Sequence, residues 1–133
     1  MQEQQAVIPS SEEQTLAFLA EFLQLVSGFI GPLIIFVAKR ESRFVAFHAM
    51  QALLWQVIYF GLALVGFILF FATEFASPST SGPPLGFFAL WLLMMGGWLL
   101  TLFFAIFYGI KAIRGQWAGY PIIGHWARRI VGA

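Results

Sequence analysis

The chain has 133 residues, of which 60% are apolar and only 10% charged. A soluble domain carries about 25% charged residues, so this composition excludes an ordinary water-soluble globule and points to a single all-α domain embedded in a membrane. A net charge of +1 makes no case for a nucleic-acid partner, and the lack of cysteine excludes disulfides and thiolate metal sites.

Residues 1–9 are polar and are expected to be a disordered tail. The first twenty residues hold Glu3, Glu12 and Glu13 but no Lys or Arg, so they do not read as a signal peptide. Ser10 followed by Glu13 has the spacing of a helix capping box. A first membrane span is expected over residues 16–38. Glu21 and Gln24 share one face of it, and Gly31-Pro32 predicts a kink near its middle. Glu21 is the only acidic residue inside any expected span and is expected to reach from near the outer interface toward water, the alternative being a proton-relay group.

A charged turn, Lys39 to Arg43, leads into an apolar stretch longer than a bilayer needs. Residues 52–72 are expected to span, with the preceding turns at the interface. His48, Gln51, Gln56 and Tyr59 fall within about 140° on a helical wheel, a polar stripe turned away from lipid. Residues 73–84 read as a loop rich in Pro, Ser, Thr and Gly. The third span, residues 85–110, carries no charge. Gly96-Gly97 permits a bend or a close contact in it. Ala105 and Gly109 have the spacing that lets membrane helices approach. Trp98 is expected between helices, while Trp91, Trp117 and Trp126 suit interfacial belts. In the tail, residues 121–131 predict a short amphipathic interfacial helix. Ile122, Ile123, Trp126, Ile130 and Val131 gather on one side of it, with His125, Arg128 and Arg129 opposite.

All seven basic residues lie in the first loop or the tail. Basic residues stay on the cytoplasmic side, so three spans predict an outside N-terminus and a cytoplasmic C-terminus. Lys39, Arg40, Arg43, Arg128 and Arg129 are candidate contacts for anionic lipid, each contributing about 1 kcal/mol of attraction. No nucleophile, base and orienter set is evident, and the chain contains no aspartate. Neither a catalytic centre nor a metal or other cofactor is expected.

Two patches, ESRFVAFHAMQALLWQ and KAIRGQWAGYPIIG, together with GFIGPLIIFVAKR, resemble a widespread family of small bacterial membrane proteins of unknown function. That family is similar to the Tic-twenty-like proteins of the chloroplast inner-envelope translocon. The resemblance covers residues 16–124 and rests on Phe44, Val45, Phe47, His48, Ala49, Gln51, Ala52, Leu53, Gly115, Tyr120 and Pro121. It implies a multi-pass protein of the bacterial plasma membrane. It also suggests that the first loop and the tail pack together, with His48 and Gln51 bonding tail backbone. Phe44, His48, Gln51, Gln56, Tyr59, Gly115, Tyr120 and Pro121 form the candidate inner-interface motif. The leading functional expectation is a non-catalytic accessory subunit that contacts lipids and either other membrane proteins or further copies of itself. The alternative is an oligomeric channel or translocation component, with the polar stripe lining the path.

Overall fold

The computed structural model describes residues 8–78 and 84–132. Among them the chain is all-helical: α1 (Ser11–Ser27), α2 (Ile30–Ala38), α3 (Arg43–Ala76), α4 (Leu85–Ile113) and α5 (Ile123–Val131). The tail expected to be disordered, residues 1–9, lies for the most part outside the described residues.

α1 starts where its sequence directs. The Ser10 hydroxyl accepts the Glu13 N–H at 3.2 Å, satisfying one of the donors a helix start leaves free. Residues 16–38 do not then form one span. α1 ends at Ser27, Gly28 takes φ +61°, and α2 turns back. The break precedes Gly31-Pro32 for a local reason. Glycine alone enters that backbone region without strain. The Ser27 hydroxyl accepts the N–H of Gly31 at 2.9 Å, and Pro32 falls in the first turn of α2, where no N–H is needed. Ile35 of α2 packs on Ala20 of α1 and on Val45 and Ala49 of α3. Lys39 and Glu12 approach to 3.4 Å across the open end.

The first apolar run is therefore a short helical hairpin. Its two ends lie together, and Gly28 at its apex meets Phe60 of α3. Among the described residues two helices, α3 and α4, are long and apolar enough to cross a membrane, where the sequence predicts three. The start of α1 also shares an end with the first basic loop, and Gly115 sits against Pro9 and Gln14. The predicted separation of the N-terminal segment from that loop is not what the fold shows.

α3 is one continuous helix of 34 residues, about 51 Å long, so the interfacial turns and the expected span at 52–72 merge. The hydroxyl of Ser42 accepts the Val45 N–H at its start. α4 runs antiparallel to it, with Trp55 bonded to Thr101, Tyr59 to the Met94 carbonyl, and Gly86 against Phe70. Burial divides these helices sharply. On α3, Phe44 to Ala52 and Gln56 are buried, but beyond Gln56 only Ala63 is. On α4 burial begins at Thr101 and includes Ala105 and Gly109, with Phe18 packed on Gly109. One end of the molecule is thus a packed foot of α1, α2, α5, the start of α3 and the end of α4. The other end is a bare α3–α4 hairpin with an apolar surface. Trp98, expected between helices, is 49% exposed on that hairpin.

Candidate functional site: a buried polar cluster under the tail

Inside the foot lie Glu21, Gln24, His48, Gln51, Gln56 and Tyr120, none more than 3% exposed. Helix periodicity assembles them. Glu21 and Gln24 are three residues apart on α1, as are His48 and Gln51 on α3, so each pair projects from one face. The tail supplies Tyr120. It can run so close because Gly119 and Gly124 touch backbone to backbone, where a side chain on Gly124 would collide with Gly119.

Glu21 is the centre. Its Oε1 accepts from Gln51 Nε2 at 2.6 Å and faces His48 Nδ1 at 2.9 Å. Its Oε2 accepts from the Tyr120 hydroxyl and from Gln24 Nε2. The other histidine nitrogen, Nε2, faces the Gln116 carbonyl at 3.1 Å. His48 thus lies between Glu21 on one side and the Gln116 carbonyl on the other, with Gln51 Nε2 also 3.2 Å from its Nδ1. The cluster is a buried histidine–carboxyl pair in which Gln51, Gln24 and Tyr120 satisfy the remaining lone pairs of Glu21. Burial, and then the charge and hydrogen bond of Glu21, push the Tyr120 hydroxyl well above its ordinary range.

The same groups fasten the tail. Gln51 Nε2 donates to the Ala118 carbonyl at 3.1 Å, and Gln51 Oε1 accepts the Tyr120 N–H at 3.1 Å. Gln24 donates to the Tyr120 hydroxyl at 2.8 Å and accepts from Gln56 at 3.1 Å. Among the described residues no buried side-chain nitrogen or oxygen lacks a partner. Phe44 and Phe47 stand edge-on to His48, and Trp117 packs on both phenylalanines.

The sequence-derived motif is therefore brought together only in part. His48, Gln51, Gln56 and Tyr120 meet, and Phe44 covers them. Tyr59 does not join them. It stacks on Trp55 and donates to the Met94 carbonyl further along α3. Gly115 lies at the start of the tail with φ +75°, and Pro121 is exposed. Glu21 does not reach water but holds the centre. Its partners became visible only once α1 and α3 were placed side by side. Of the polar stripe, His48, Gln51 and Gln56 face inward to Glu21 and Gln24, while Tyr59 faces α4.

α5 also differs from its expected wheel. It begins at Ile123, with Ile122 at φ +65° before it. Ile123, Gly124 and Ala127 are buried, and Arg128 packs inward over the Phe47 ring while donating to the Trp117 carbonyl at 2.8 Å. Ile122, Trp126 and Ile130 face outward. Arg128 is thus drawn toward Phe47 and Trp117 instead of standing opposite the apolar side.

No curated protein and no solved structure gives a significant match to the chain. A family model does, over residues 12–127, and its description is the magnetosome magnetite crystal formation protein family, MamF/MmsF. The match takes in both patches that suggested the Tic-twenty-like proteins and replaces that assignment. With the model spanning α1 through most of α5, the chain belongs to the MamF/MmsF magnetosome magnetite crystal formation family.

Proposed function

We propose that the protein is a non-catalytic membrane component of magnetite crystal formation, anchored by α3 and α4 and carrying its foot at one membrane face. The observation that carries this reading is the state of the buried cluster. Its polar groups are bonded to one another and to tail backbone, which suits a structural lock and leaves no reactive group turned toward a substrate. The two long helices support membrane insertion. A core helix of a soluble protein is mostly buried, whereas only 17% and 22% of the most apolar stretches of α3 and α4 are. Bare apolar helix surface fits lipid or a neighbouring membrane protein.

In this reading α1 and α2 form a re-entrant hairpin, and the N-terminal segment, the basic loop and the tail share the cytoplasmic face. The chain has no native cysteine, so labelling is free of background. Ile8→Cys and Ala133→Cys should react with an impermeant maleimide from the same side of sealed vesicles, and Ser81→Cys from the other. Reaction of Ile8→Cys and Ala133→Cys from opposite sides would restore three spans. The role in mineral formation is tested by removing the chain from a magnetite-forming bacterium. Crystal size or number should change, and unaltered crystals would end this reading.

A further inference from the structure

α5 presents two different faces. The packed one, Ile123, Gly124, Ala127 and Arg128, closes the foot. The open one carries Ile122, Trp126 and Ile130, which are 70%, 47% and 55% exposed, and beside them the exposed His125 and Arg129. At 100° per residue the open residues occupy an arc of about 140°, graded from a basic edge to an apolar edge. Two further observations show that this face is not leftover surface. First, Ile122 holds φ +65°, a region glycine enters freely and a β-branched residue does not. The strained backbone turns a large apolar side chain to the outside. Second, no acidic residue follows Glu74 anywhere in the sequence, while Lys111, Arg114, Arg128 and Arg129 do. Exposed Arg40 and Arg43 lie at the same end of the molecule.

We infer that the open face of α5 is a docking surface for anionic lipid. Trp126 and Ile130 enter the boundary between headgroups and acyl chains, and Arg129 meets the headgroup charge. Charge complementarity selects anionic lipid, and continuity with the crossing helices of the same chain places α5 beside the bilayer surface. The inference rests on the membrane reading proposed above. Of the two arginines of α5 it selects Arg129 as the lipid contact, because Arg128 is engaged with Phe47 and Trp117.

The test uses the full chain with an environment-sensitive fluorophore at Ile130→Cys. It is reconstituted in vesicles of phosphatidylcholine with or without phosphatidylglycerol, each containing a lipid-borne quencher. The label should be quenched more strongly in the anionic vesicles. Arg129→Glu should lower the underlying partition about fivefold or more, the factor one basic residue near a charged surface contributes. A second label at Leu92→Cys, exposed on α4, keeps the two readings apart. If Leu92 is quenched in both vesicle types while Ile130 stays in water, the docking surface is overturned and the membrane anchor stands. An unquenched Leu92 refutes the anchor, and the inference with it. Equal quenching of Ile130 with and without anionic lipid overturns the charge selection. Shielding that follows protein concentration instead of lipid assigns the face to a protein partner and overturns the inference.

Discussion

The foot and the bare hairpin are built from the same two long helices but are held by different forces. In the foot, α3 and α4 gain α1, α2 and α5 as neighbours, and a histidine–carboxyl pair is fully enclosed by hydrogen bonds. In the hairpin, beyond Tyr59 on α3 and Met94 on α4, the two helices meet through contacts such as Gly66 against Leu90 and Leu93 and Gly86 against Phe70. The foot therefore carries its own interior and its own specificity. The hairpin has no interior to speak of and depends on whatever covers its surface. A buried polar cluster of this kind strongly penalises any arrangement that leaves one of its partners unbonded. That suits a device fixing the register of three separate chain segments.

Removing the centre of the foot gives the largest expected effect. Glu21→Leu strips the shared partner from His48, Gln51, Gln24 and Tyr120. A loss of about 3 kcal/mol or more, read from thermal unfolding in detergent, is expected, since each buried polar group left unsatisfied costs about 1–3 kcal/mol. Hydrogen exchange of the same variant should accelerate in α1, α2 and α5, while residues 61–76 and 85–95 keep their protection. Equal acceleration in both regions would mean that they do not form separate units.

The hairpin is probed by a pair of neighbouring glycines. A Cβ on Gly97 would overlap the Tyr59 ring, whereas one on Gly96 meets open space. Gly97→Ala should cost about 1–3 kcal/mol through overpacking. Gly96→Ala should be neutral or stabilising by up to about 1 kcal/mol from helix propensity. Similar effects at the two positions would show that Tyr59 does not hold the helices together.

Much of the hairpin was legible in the sequence, because an uncharged apolar run has few alternatives to a long helix. The third predicted element matches α4 to within three residues at its end, 85–110 against Leu85–Ile113. The foot was harder to read. Hydropathy does not distinguish a helix that crosses from one that turns back, and Ser27-Gly28 weighs little in an apolar run. Glu21 looked like an isolated carboxyl because its partners lie 27, 30 and 99 residues away. The i, i+3 pairs Glu21–Gln24 and His48–Gln51 were each visible, but nothing in one sequence states that they face each other. The orientation of α5 was missed because Arg128 was assigned by its charge to anionic headgroups. Its guanidinium instead stacks on aromatic rings.

Tyr120 reports on the tail's hold on the foot. Tyr120→Phe removes a charge-assisted bond to Glu21 and one from Gln24, an expected loss of about 1–3 kcal/mol. The wild-type protein should also lose stability in alkali. Its Tyr120 hydroxyl is pushed upward in the fold, first by burial and then by Glu21. The unfolded chain thus releases this proton first, from about pH 10. The Tyr120 contribution is whole below that pH and is lost as pH rises toward the folded-state value. Tyr120→Phe should flatten that part of the stability profile. An unchanged alkaline slope would mean that another group controls it.

The smallest effect is expected where the hairpin of α1 and α2 closes. Lys39 and Glu12 are 38% and 74% exposed, so their ion pair should contribute only about 0–1 kcal/mol and fade as salt rises. Its value is geometric. Lys39→Glu alone should destabilise slightly by placing like charges together, and adding Glu12→Lys should recover the loss. A short bismaleimide should join Glu12→Cys to Lys39→Cys within one chain, because the two ends of the α1–α2 hairpin lie together. If α1 and α2 instead formed one continuous span, these positions would stand on opposite membrane faces. About 40 Å would then separate them at 1.5 Å per residue, and neither charge exchange nor a short linker would connect them. A perturbation of almost no energetic weight therefore tests the feature that most separates the foot from the hairpin, the turn of the first apolar run at Gly28.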